Sequence, residues 1–178
     1  MNNLPTRKQI RLKNYDYSQN GCYFVTVCVK DKKHLLGHFR SKDEVVGAGL
    51  RARPRDAVVL TKLGREVESS IIFIGEKYSN VSIEYYVILP NHVHLLILIS
   101  DYDERLDVVC TTGGRGDPPL QSIIGYFKSY TTTKFRKIGN NHGILWQRSF
   151  YDRVIRNQLE FEKAWEYIEY NALKEYGK

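Results

Sequence analysis

Residues 85–100 read YYVILPNHVHLLILIS, two runs of β-forming residues separated by Pro90 and Asn91. That is the pattern of a tight hairpin between antiparallel strands. Side chains two apart in a strand leave the same face, so His92 and His94 stand side by side with Val93 behind them. Leu96 and Leu98 continue the histidine face, while Val93, Leu95, Ile97 and Ile99 line the other. A strand apolar on both sides belongs at the centre of a sheet with a layer above and a layer below. Two imidazoles at the end of such a strand have metal-ligand geometry, and the competing reading is a hydrogen-bonded structural pair. A pair alone leaves an ion short of ligands, so the metal reading needs a third group from elsewhere in the chain. The other histidines, His34, His38 and His142, have no comparable spacing.

Working outward, Cys22–Lys30 (CYFVTVCVK) is β-branched and aromatic with no polar face, as expected of another central strand. A short edge strand is expected within 34–39, a surface insert over 41–57, and extended structure over Val58–Leu60. Thr61 is a plausible N-cap for a helix running to about Lys77 with Leu63, Val67, Ile71, Ile72 and Ile74 at helical spacing. Residues 101–119, again with Gly, Arg and Pro, read as a long loop. Leu120–Lys137 is a second helix with Lys128 and Lys134 available to solvent, and Ser149–Arg156 a last strand. The chain closes on a helix over Asn157–Lys174 whose buried stripe is Phe161, Trp165, Ile168 and Ala172. Tyr167 and Asn171, four apart, flank that stripe. The order β-α-β-β-α-β is that of an α+β, ferredoxin-like antiparallel sheet with an added C-terminal helix. In that topology the first strand and the histidine strand are central neighbours. Two helices cover one face, so the third is expected over the other, above the histidines.

With 178 residues the chain is expected to be a single domain, preceded by a basic arm over residues 1–20. The three cysteines, Cys22, Cys28 and Cys110, follow no paired spacing and read as structural thiols in a reducing cytoplasm. Neither a signal peptide nor a membrane span is expected. A net charge of +7 and thirteen tyrosines point to nucleic acid. The candidate phosphate-tracking groups are Arg7, Lys8, Arg11 and Lys13 in the arm, Lys128 and Lys134 in the second helix, and Arg148, Arg153 and Arg156 before the last.

PNHVH at 90–94, followed by LWQRSFYDRVIRN at 145–157 and EYIEYNALK at 166–174, resembles the repeat-associated branch of the HUH single-tyrosine transposases over most of residues 10–175. The resemblance implies His92 and His94 as metal ligands, Tyr167 as catalytic nucleophile and Asn171 as the ligand completing the site. Many insertion-sequence relatives carry Gln at that last position, and Tyr170 competes with Tyr167 for the nucleophile's role. It further implies Mg²⁺ or Mn²⁺, a single-stranded DNA partner with hairpin or palindromic repeats, nicking and rejoining through a 5′-phosphotyrosine, and a monomer or homodimer. Three rivals stand beside this reading. A non-catalytic single-stranded nucleic-acid-binding module of the same fold would read bases from an open sheet face. A histidine-triad hydrolase would need a third alternating histidine where Leu96 stands, and a plain structural domain would not use Tyr167 at all.

Overall fold

The computed structural model describes residues 20–40, 57–100, 102–103, 108–109, 119–139 and 142–176, with side chains as far as Asn171. Arg7, Lys8, Arg11, Lys13, Cys110 and most of the two inserts lie outside the described residues. The strands are β1 (Gly21–Cys28), β2 (Gly37–Phe39), β3 (Val58–Leu60), β4 (Val81–Leu89), β5 (His92–Ile99), β6 (Tyr102–Asp103), β7 (Val108–Val109) and β8 (Tyr151–Ile155). The helices are α1 (Lys62–Lys77), α2 (Leu120–Gly139) and α3 (Gln158–Tyr176). The main sheet has the order β4-β5-β1-β8 with every pair antiparallel, the strand arrangement of the ferredoxin-like fold. β2 pairs with β3 in a separate two-stranded ribbon. The stretch read as an unbroken loop after β5 instead contains a small antiparallel pair, β6 with β7.

Thr61 caps α1 as its position suggests, its hydroxyl accepting from Gly64 N–H at 3.0 Å while donating to Leu35 O at 2.8 Å. Val67, Ile71 and Ile74 of α1 and Ile123, Ile124 and Phe127 of α2 then bury against Tyr23, Val25 and Val27 of β1 and Val93, Leu95 and Ile97 of β5. This face is closed to water, each of these side chains being fully buried. Burying a large aliphatic or aromatic side chain contributes about 1.5–3 kcal/mol. The layer therefore supplies the rigidity on which the opposite face is built.

That opposite face carries α3. Phe161, Ala164 and Ile168 pack over Val87 and Leu89 of β4 and Leu96 of β5, with Ile155 and Phe24 at the margin. Asn157 starts the helix, its Oδ1 accepting from Glu160 N–H at 2.9 Å, and the Glu160 carboxylate accepts in turn from Arg156 N–H at 3.1 Å. Those bonds set the direction in which α3 crosses the sheet. Two expectations change here. β1 is fully covered on one face only, because Cys22, Phe24, Thr26 and Cys28 on the other remain half-exposed beyond the reach of α3. The buried stripe of α3 runs Phe161, Ala164, Ile168, Asn171, so Asn171 lies on it rather than beside it, while Tyr167 does flank it. A helix crossing a twisted sheet tilts its contact line, which brings Ala164 in.

Candidate functional site

Antiparallel register puts directly opposed residues on one face, and β1 opposes β5 through Thr26 with His94, Cys28 with His92 and Phe24 with Leu96. β8 adds Tyr151 opposite Thr26 and Arg153 opposite Phe24. The uncovered end of this face, beyond the apolar contacts of α3, is a cleft of about 390 Å³. His92, His94 and Tyr167 line it together with Thr26, Asn91, Gln147 and Tyr151. Lys32 enters from the turn after β1, where Asp31 and Lys32 adopt φ of 56° and 53°. Left-handed backbone is unfavourable for such residues by about 1–2 kcal/mol each, and here it turns the chain back toward the cleft. A hollow of about 350 Å³ between α1 and β4 is lined by residues such as Ile71, Asn80, Ser82 and Leu98 and has no acid, base or histidine.

His94 is held on every side. Its Nδ1 lies 2.8 Å from Thr26 Oγ1 and its Nε2 3.1 Å from His92 Nε2. Its ring stacks on Phe24 with centroids 5.2 Å apart and planes 25° from parallel, and meets the Tyr167 ring edge-on at 5.3 Å. Phe24 also meets Tyr167, at 5.7 Å. His94 is 4 % exposed, and burial, with the charge on His92 as the lesser cause, pushes its pKa down to about 3. A ring so placed is neutral at physiological pH, the form in which imidazole binds a metal. His92 sits nearer solvent, its Nδ1 2.5 Å from Asn91 Oδ1.

Of the residues singled out in the sequence, His92, His94 and Tyr167 come together at this cleft, all from one chain. Asn171 follows Tyr167 by one turn and is 4 % exposed, with its Nδ2 buried and lacking a hydrogen-bond partner. A buried amide atom without a partner is costly, and the amide's oxygen and nitrogen exchange by a half-turn of the group. The orphaned position can therefore present a carbonyl oxygen. Among the described residues no cluster of three or more His, Cys, Asp or Glu side chains could hold an ion. Two imidazoles, one amide oxygen and open positions fit a divalent ion that accepts oxygen ligands. Tyr170 is half-exposed and does not line the cleft.

The basic candidates divide. Arg148, Arg153 and Arg156 are exposed, and Arg153 shares the histidine face, within 3.5 Å of Glu160. Lys134 is taken up by Glu66 at 3.1 Å and by the Tyr130 ring. Lys128 is not available to solvent as its helical position suggests. Its ammonium donates to the carbonyls of Gln147, Arg148 and Ser149 at 2.6, 3.2 and 3.3 Å, and burial lowers its pKa. It ties down the segment that brings Gln147 to the cleft. The thiol of Cys22 is pushed up to about 11 by burial and then by Glu84, which suits an inert structural cysteine. Sequence reading missed Phe24, Thr26, Asn91, Gln147 and Tyr151. Asn91 adjoins His92 and was within reach of inspection, whereas the others follow from strand register alone.

Among the described residues no helix is long and apolar enough to cross a membrane. No protein-family model matches the chain. An uncharacterized protein of Haemophilus influenzae is 28% identical over 183 residues, spanning 94% of this chain and 88% of the relative. Among solved structures, a REP-associated tyrosine transposase bound to a REP hairpin superposes with a TM-score of 0.50 at 16% identity, covering 93% of this chain and 74% of that one. The fold is thus transposase-like.

Proposed function

We propose that this chain is a metal-dependent tyrosine transposase, a nuclease that nicks and rejoins single-stranded DNA at hairpin-forming repeats. The observation that carries the reading is the packing of Tyr167 against His94 within one chain, at the open end of the sheet. That shared origin supports cleavage in cis. The solved neighbour's REP hairpin supports a folded strand as the substrate class.

A divalent ion such as Mg²⁺ or Mn²⁺, held by His92, His94 and the Asn171 amide, supplies positive charge at the scissile phosphate. The rest of the reaction belongs to the side chains. The Tyr167 oxygen attacks phosphorus in line, the bond from phosphorus to the 3′ oxygen breaks, and the phenolic proton passes to water. The products are a 5′-phosphotyrosine and a free 3′-hydroxyl. Because the phosphodiester character is conserved, a second 3′-hydroxyl can displace the tyrosine and join strands without ATP. Arg148, Arg153 and Arg156 provide exposed charge for the backbone, Arg153 on the histidine face itself. The half-exposed ring of Tyr151 supplies a stacking surface beside the nucleophile.

The test uses a labelled hairpin-bearing DNA strand with Mg²⁺ or Mn²⁺. Wild type and Tyr170→Phe should give an adduct stable to denaturant, and Tyr167→Phe should give none. If wild type and Tyr167→Phe behave alike while both bind the strand, the chain is a binding module and not an enzyme of this kind.

A further inference from the structure

We infer that Asn91 and Thr26 are positioning residues that decide which ring nitrogen each histidine turns to the cleft, Asn91 holding His92 in one tautomer and Thr26 allowing His94 to exchange between two. This rests on the proposed metal site for its consequence, though not for its geometry.

The argument follows the hydrogen bonds from one end. Asn91 Oδ1 accepts only, so the ring nitrogen 2.5 Å away, His92 Nδ1, carries the proton. A neutral imidazole has a single N–H, which leaves a lone pair on His92 Nε2. The contact of 3.1 Å between the two Nε2 atoms then needs its proton from His94. With His94 protonated on Nε2, its Nδ1 is an acceptor, and Thr26 Oγ1 at 2.8 Å donates to it. Donation therefore runs in one sense, from Thr26 to His94 to His92 to Asn91.

In that state His92 already offers a lone pair to an ion, but His94 does not. To act as a ligand through Nε2, His94 must carry its proton on Nδ1 instead. Its ring is sandwiched by Phe24 and edged by Tyr167, so the change is a relocation of the proton and not a turn of the ring. The new Nδ1–H needs an acceptor in a buried place. A hydroxyl is the side-chain group that can rotate from donor to acceptor at a fixed position. Valine would suit the same strand position equally well for shape and for β propensity. The hydroxyl of Thr26 is thus explained by its partner and not by the fold.

The experiment is ¹⁵N NMR of histidine-labelled protein, metal-free and titrated with Mg²⁺, alongside Mn²⁺ affinity by electron paramagnetic resonance. Metal-free wild type should show His92 as the Nδ1–H and His94 as the Nε2–H tautomer, with His94 alone moving to Nδ1–H on adding Mg²⁺. Thr26→Val should melt as wild type does yet bind Mn²⁺ about 10–100-fold more weakly, and Thr26→Ser should restore most of the loss. Asn91→Ala should release His92 into a mixture of tautomers. The inference is overturned if metal-free His94 is already Nδ1–H, if wild type binds Mn²⁺ without a change at His94 or does not bind it, or if Thr26→Val binds as tightly as wild type. Failure of the nuclease assignment reads differently: the tautomers behave as described, but no tyrosine adduct forms.

Discussion

His94 ties stability to pH, and the size of the effect follows from its burial. In the folded chain it takes up a proton only near pH 3, against about 6.5 for an ordinary histidine. Between those values the unfolded chain binds more protons than the folded one. Stability therefore rises with pH through this window, is complete above about 6.5, and is lost as pH falls toward 3. Integrated from pH 7 to pH 4, the linkage costs about 3 kcal/mol, and a folded pKa one unit higher leaves it near that value. Folded domains are stable by only about 5–15 kcal/mol, so the loss is large enough to measure. The comparison is urea unfolding at pH 7 and pH 4, in chelator, of wild type and His94→Gln. Glutamine keeps a partner for Thr26 but does not titrate, and the carboxylates common to both proteins cancel in the difference. Wild type should lose about 3 kcal/mol more than the variant across this range. Parallel losses would refute the claim that His94 is buried and neutral, and with it the basis for treating the ring as a ready ligand.

Lys128→Met should lower stability by about 2 kcal/mol, since three carbonyls lose a charged donor in a half-buried position. For a chain of this size that corresponds to a melting point lower by about 4–8 °C in circular dichroism, and a shift below about 1 °C would mean that water replaces the ammonium without loss. Gly64→Ala should be the harsher change, because a Cβ there would stand 2.0 Å from the Leu36 carbonyl oxygen and force the β2 ribbon off α1. Denaturant unfolding should show a cost of about 3 kcal/mol or more, while Gly125→Ala, where the added carbon meets nothing within 4 Å, should be neutral or slightly stabilising.

What the amino-acid pattern revealed and what it hid divide along the distinction between local and non-local information. The hairpin from Val81 to Ile99, the cap at Thr61 and the order of strands and helices are written in periods of two and 3.6 residues, and each is found where the pattern puts it. The coverage of the second sheet face by α3 follows from the apolar character of Leu96 and needs no distant partner to be known. Register is different. That Thr26 meets His94, and that Phe24 stacks on it, depends on how two strands 68 positions apart slide against one another. A slip of one residue would have given Val25 or Val27 that place. The hydroxyl of Thr26 inside FVTVCV is consequently silent as sequence and informative as structure.

Asn171 makes the same point from the opposite direction. Judged by hydrophobicity it should flank the stripe of α3, and a helix obeying only its pattern would turn it outward. Its amide is instead buried at the end of the stripe, with a nitrogen left unsatisfied. Removing water from such a group costs about 1–3 kcal/mol, which the apolar contacts of Ala164 and Ile168 can sustain but do not require. Local rules that fail where a compensating partner is missing mark places shaped by function more than by stability. The strain at Asp31 and Lys32, the buried imidazole of His94 and the orphaned amide of Asn171 are three such failures. Two lie at one cleft, and Asn171 follows Tyr167 of that cleft by one helical turn, so the elements of the fold that cost most stability gather around the end of β5 that PNHVH first singled out.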